Sequence, residues 1–76
     1  MELQDFINNF ASQFDDTDSA EFTADLQFHD LEEWSSLNAL SIIAMVDEEY
    51  GVKLTGNDIR EAKSVQDLFD VVKGKK

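Results

Sequence analysis

The chain has no cysteine, no proline, a single histidine, and six basic residues against seventeen acidic ones in 76 positions. Each shortage excludes something. Without cysteine there is no disulfide framework and no thiolate nucleophile or ligand, so the fold rests on packed side chains alone. A net charge of -11 repels nucleic acid and anionic membrane, so neither is an expected partner. No segment approaches the roughly 20 apolar residues of a membrane span, so stable membrane insertion is not expected. The opening MELQDFINNF lacks a basic leader, and a cytoplasmic protein is the expectation. The length suits one small domain over 1–76 and is too short for a deep substrate cavity with its own catalytic machinery.

What is present is a core and an uneven charge. Hydrophobic residues make up 42%, with six Phe, one Trp and one Tyr. That content argues against the disorder acidic chains often show. All six bases follow Val52, whereas thirteen of the seventeen acids precede it. The N-terminal two-thirds should therefore steer basic protein surfaces toward itself.

Apolar periodicity predicts helices. Leu3, Phe6, Ile7, Phe10 and Phe14 fall on one face of a first helix of about three turns. The stretch 15–33 then loses the pattern while keeping Phe22, Leu26, Phe28 and Leu31, which predicts a long connection pinned across the core. A second helix should run from Ser36 to Gly51, where glycine can take the left-handed closing conformation. Ala39, Ile42, Ile43, Val46 and Tyr50 form its core stripe; Leu37, Leu40 and Ala44 form a second stripe turned away, as for a partner. Thr55 with Asp58, and Ser64 with Asp67, have capping-box spacing and predict helices over about 57–62 and 65–72, with a frayed KGKK tail. The expected fold class is all-α: a four-helix bundle with a long loop between helices one and two and a short third helix.

Chemistry is sparse. Serine catalysis needs a base in reach, usually histidine, and His29 stands alone seven residues before Ser36 with no oxyanion donors beside that serine. It is expected to be a surface or loop-packing residue. The run 15-DDTDSAE-21 opens like a calcium loop, but counting from Asp16 puts Glu21 where the turn needs glycine and Gln27 where a bidentate Glu is needed. No metal site is expected, although loose divalent binding and a simply solvated loop both remain open. The stretch 34-WSSLNALSIIAMVDEEYG-51 places two serines at a helix mouth. An anionic group attached there would meet the positive end of the helix dipole. On spacing alone, a serine that merely caps the helix is the commoner arrangement.

The order of these features resembles the acyl carrier protein family: a small acidic helical bundle, a long first loop, and 35-SSL-37 in the place of the family's D-S-L motif. The similarity continues without a gap through NALSIIAMVDEEYGVKLTGNDIREAKSVQDL. The resemblance implies a protein that is not an enzyme, and a 4'-phosphopantetheine arm taken from coenzyme A and attached to Ser36 by a phosphodiester, with Ser35 and Leu37 flanking it. Ser35 stands where the family usually has aspartate. Acyl groups held as thioesters would pass to partners of fatty acid, polyketide or related specialised synthesis. Those partners would be a phosphopantetheinyl transferase, acyl transferases, ketosynthases and related enzymes with basic docking surfaces, meeting a monomer through Leu37, Leu40, Ala44, Asp47 and Glu48. The acyl chain would be sheltered near Phe28, Val46, Leu54, Ile59 and Ala62. Trp34 and Ser35 together point to a specialised system; Trp34 alone is expected to pack the loop against helix two. The alternative is a degenerate carrier-like interaction module without the arm.

Overall fold

Burial of Phe6, Ile7 and Phe10 fixes the first helix against the rest of the chain, and a single core grows around them. The computed structural model describes residues 2–76. Its elements are α1 (Leu3–Ala11), α2 (Ser36–Tyr50), α3 (Gly56–Glu61) and α4 (Val65–Lys75), with single turns of 3-10 helix at Ser19–Glu21 and Phe28–Asp30. No strand occurs among the described residues, and the fold is an all-α bundle with a short third helix. Helix α1 packs on α2 and α4, and α3 packs on α2 and α4.

All six phenylalanines are buried and linked edge to face or obliquely. Phe69 meets Phe6 at 5.5 Å between ring centroids, Phe6 meets Phe10 at 6.3 Å, Phe10 meets Phe28 at 5.3 Å, and Phe28 meets Trp34 at 4.9 Å. This file of rings runs from α4 through α1 to the end of the connection. Tilted pairs at such separations add to the area term because ring quadrupoles attract edge to face.

The connection between α1 and α2 is tied to α4 at its middle and closed on itself near its ends. The first backbone N–H groups of a helix have no intrahelical acceptor. In α4, Val65 N–H donates to Leu26 O at 3.1 Å and Gln66 N–H donates to Ala24 O at 2.8 Å, so the connection satisfies donors that would otherwise be orphaned. Near its ends, the Glu33 carboxylate accepts from Asp15 N–H at 2.9 Å, Asp16 N–H at 3.1 Å and the Thr17 hydroxyl at 2.8 Å. Partial desolvation pushes the Glu33 pKa up, but the Thr17 hydroxyl and the backbone N–H groups outweigh it and leave the pKa below its ordinary value.

A depressed folded-state pKa contributes stability above the unfolded value, about 4.3 for Glu, that is lost as pH falls through the folded one. Glu33→Gln should therefore melt below the wild type at neutral pH, and the two should converge in acid as the wild-type carboxyl takes up its proton. Melting curves across pH 2–7 check this. A gap that persists unchanged at the acid end would remove the carboxylate clasp as its cause.

Several sequence expectations are corrected. The first helix stops at Ala11, so Phe14 is not on its face. Phe14 follows a tightened turn in which Gln13 N–H and Phe14 N–H donate to Phe10 O and Ala11 O, and it is still buried. The expected core stripe of α2 includes Ala39, Ile43 and Tyr50, which are half-buried, and omits Met45, which is buried. The third helix starts at Gly56 rather than 57 and ends at Glu61. Thr55 and Asp58 form a complete capping box. Ser64 caps α4 by accepting from Asp67 N–H, but Asp67 returns its bond to Lys63 N–H, one residue earlier than a box requires.

The KGKK tail is helical to Lys75 instead of frayed. Glycine inside a helix costs about 1 kcal/mol relative to alanine, and two features offset the cost at Gly74. Lys73 and Lys75 complement the negative end of the helix dipole. Lys75 also reaches Asp58 on α3 at 3.3 Å. Thr55 N–H, and after it Lys75, hold the Asp58 carboxyl below its ordinary pKa against a smaller opposing desolvation.

Candidate functional site

The two serines at the head of α2 have different surroundings. Ser35 is the N-cap, with extended backbone at φ -154° and ψ 174°. Its Oγ accepts from Asn38 N–H at 3.5 Å and its hydroxyl donates to Asn38 Oδ1 at 2.8 Å. Ser36 is the first helical residue. It is exposed, and its hydroxyl makes no hydrogen bond among the described residues. The capping role expected of one of the pair falls on Ser35. Ser36 and Leu37 are left with backbone N–H groups that no carbonyl of the helix can reach.

Beyond Ser36, α2 presents a mixed face. Leu37 is 75% exposed and Leu40 61% exposed, the two large hydrophobic residues most open to solvent among the described residues. Ala44, Asp47 and Glu48 are exposed further along the same helix. The helix ends at Gly51, whose φ of 68° and ψ of 25° are left-handed and whose N–H donates to Asp47 O. A Cβ-bearing residue would be strained there.

An open cleft of about 630 Å³ begins at these serines and lies between α2 and α3. Ser35, Ser36, Ala39, Leu40 and Ile43 line it from α2 and its cap, Gly56, Ile59 and Arg60 from α3, and His29 and Trp34 from the connection. His29 is fixed by its Nε2, which lies 3.0 Å from both Ile59 O and Ala62 O. Carbonyls only accept, so Nε2 carries the hydrogen and donates to both. The imidazole thus ties the connection to the C-terminal end of α3, with its ring 4.4 Å from Phe28 and 5.3 Å from Trp34. Trp34 packs on Phe14 and Phe28 as well as lining the cleft.

Of the residues assigned to an acyl shelter, Ile59 lines this cleft. Phe28, Val46, Leu54 and Ala62 lie in the core, from 0% to 5% exposed. Sequence reasoning passed over Ile43, Gly56 and Arg60 as cleft residues. The signal for Ile43 was its position one turn from Ala39 and Leu40; for Gly56 and Arg60 nothing local marks them, because α3 meets α2 only in the folded chain. Among the described residues no group of three or more His, Cys, Asp or Glu could hold a metal ion.

A sequence model of the family described as "Phosphopantetheine attachment site" matches residues 5–72. The chain belongs to this family. The carrier accordingly bears the attachment site for a covalent 4'-phosphopantetheine group, and its role is non-catalytic. No match emerged among curated proteins or among solved structures. No helix among the described residues is long and apolar enough to cross a membrane.

The residues at the head of α2 fit such a group. A hydroxyl that must be esterified has to be exposed and uncommitted, and Ser36 is both, while the neighbouring Ser35 hydroxyl is held by Asn38. No acidic residue occurs in the first turn of α2 to oppose a phosphodiester, and the dipole favours an anion there by about 0.3–1 kcal/mol.

Proposed function

We propose that Ser36 carries the 4'-phosphopantetheine arm and that the carrier delivers acyl intermediates to cytoplasmic enzymes of fatty acid, polyketide or related specialised synthesis. The observation that carries this reading is the division of labour between the serines: Ser35 caps α2, so Ser36 is exposed at the first helical position without a hydrogen-bond partner. When bound, the arm supplies the thiol that this cysteine-less chain lacks, and with it a thioester linkage for an acyl group.

The chain's own residues do the rest. The first turn of α2 holds the attachment point in the favourable end of the helix dipole. Leu37 and Leu40 offer apolar contact to the transferase and to acyl transferases and ketosynthases, and Ala44 leaves room beside them. Asp47 and Glu48 attract basic rims on those enzymes, which sets the encounter rate more than the final affinity. Ile59 is the residue of the proposed acyl shelter that lines the cleft; Phe28, Val46, Leu54 and Ala62 are buried in the core, so a longer acyl chain has to part α2 from α3. Trp34 and the serine in place of the usual Asp at position 35 support a specialised pathway over a general one.

Intact mass after incubation with coenzyme A, magnesium and a broad-specificity phosphopantetheinyl transferase tests the attachment, with fragmentation to locate the addition. One phosphopantetheine on Ser36 is the expected result. No addition, repeated with a transferase of the protein's own host, would leave an armless interaction module built on Leu37 and Leu40 as the better account.

A further inference from the structure

The cleft that opens from Ser36 is lined by one arginine, Arg60, and by no acidic residue, although seventeen acidic residues are present. By contrast, the hollow beside the connection is lined by Asp16, Glu21, Asp30, Glu32 and Glu33. Arg60 also lacks an ion-pair partner among the described residues, where the one salt bridge joins Lys75 to Asp58. The sequence explains why. Helical pairing works at spacings of three and four, and the positions so spaced from Arg60 are Gly56, Asn57, Lys63 and Ser64. Asp58 is already engaged by Thr55 N–H and Lys75. His29 commits its Nε2–H to the carbonyls of Ile59 and Ala62 on either side of Arg60, which holds that turn in place.

We infer that Arg60 binds an oxyanion tethered at Ser36, either the phosphodiester of the arm or the carboxylate of a dicarboxylic acyl group, and so determines what the cleft retains. This rests on the reading that Ser36 carries the arm. An exposed ion pair between separate molecules is weak in water. Tethering changes that, because a group linked to the same chain has an effective concentration in the millimolar range or above. The guanidinium fork matches two oxygens of a carboxylate or phosphate at once, which an ammonium cannot do. At Gly56, on the cleft edge, no heavy atom lies within 4 Å of where a Cβ would stand, so that edge is open. A neutral acyl group meets only the apolar walls at Trp34, Ile43 and Ile59; an anion-ended one also meets Arg60.

The test uses the full chain loaded by a transferase with coenzyme A, acetyl-coenzyme A or malonyl-coenzyme A, with loading confirmed by mass. A chain that accepts no arm overturns the attachment reading and this inference together; a loaded chain tests Arg60 alone. NMR follows the Arg60 Nε–H in the wild type and Lys63→Gln, and the phosphodiester phosphorus in these two and in Arg60→Gln. Expected is a shift of Arg60 Nε–H on loading that disappears near 1 M salt, where screening acts within about 3 Å. If the phosphodiester is the anion, the shift is present without any acyl group, and the phosphorus resonance moves in Arg60→Gln. If the carboxylate is the anion, the shift appears with malonyl and not with acetyl, and the phosphorus resonance is the same in both proteins. Lys63→Gln should leave both readouts unchanged. An Arg60 resonance indifferent to all three loads, or a Lys63→Gln protein that reproduces the Arg60→Gln changes, overturns the inference.

Discussion

Ser36→Ala should take up no phosphopantetheine while keeping its fold, whereas Ser35→Ala should be loaded but less stable. The two hydroxyls are adjacent in sequence and opposite in role. Removing the Ser36 hydroxyl deletes an exposed group without a hydrogen-bond partner, and exposed substitutions of that kind fall within about 0.5 kcal/mol. The thermal midpoint should therefore stay within a few degrees, while loading falls to background. Removing the Ser35 hydroxyl deletes an N-cap, a loss of about 0.5–2 kcal/mol. The lower half of that range applies, because the capped Asn38 N–H lies 3.5 Å from Oγ. Intact mass and thermal melting on the same three proteins decide the matter. Loading of Ser36→Ala, at Ser35 or elsewhere, would sink the assignment; so would a Ser35→Ala protein that is folded and unloaded, since the cap would then be part of the acceptor.

Much of this is legible in the sequence, for local reasons. A cap at one of the two serines, the box at Thr55 and Asp58, and the stop at Gly51 each depend on residues within four positions, where backbone hydrogen bonding leaves few alternatives. The exposed stripe of Leu37, Leu40 and Ala44 follows from helical periodicity alone. What the sequence hid was set by contacts between distant segments. Phe14 continues the spacing of Phe6 and Phe10, yet the chain leaves the helix after Ala11 and buries the ring against Phe22 at 5.1 Å and Trp34 at 6.1 Å. The KGKK tail has the composition of a loose end, and the ion pair of Lys75 with Asp58 across on α3 is a contact that its own sequence does not announce. Glu33 looked like one acid among many, but it closes the connection on Asp15, Asp16 and Thr17, sixteen to eighteen residues away. Arg60 enters the site by the packing of α3 on α2, which no spacing within α3 announces. His29, expected to be a surface or loop-packing residue, acquires its hydrogen bonds to α3 from a segment about thirty positions onward.

Phe10→Ala should cost the carrier most of its stability. Phe10 is 0% exposed, and its ring meets Phe6, Phe14, Phe22 and Phe28 at 6.3, 5.4, 5.9 and 5.3 Å. Truncating a buried phenylalanine costs about 3–5 kcal/mol, partly because the surrounding side chains close only some of the cavity. A chain of 76 residues has roughly 4–11 kcal/mol in total at about 0.05–0.15 kcal/mol per residue. At roughly 4–8 °C per kcal/mol for a domain of this size, the midpoint should fall by about 12–40 °C. Leu37→Ala is the control, since a side chain 75% exposed gives up little on truncation and should change the midpoint by only a few degrees. The damage should also reach the cleft. Phe10 supports Phe28, and Phe28 in turn supports His29 and Trp34, the two connection residues that line it. Under conditions where Phe10→Ala is still mostly folded, Trp34 fluorescence should shift toward that of solvent-exposed indole, while in Leu37→Ala it should match the wild type. Denaturant titrations read by circular dichroism and by Trp34 emission separate the two effects. A Phe10→Ala protein within 1 kcal/mol of wild type would mean that the remaining rings repack without it, and that the file of aromatic residues does not join the core to the cleft.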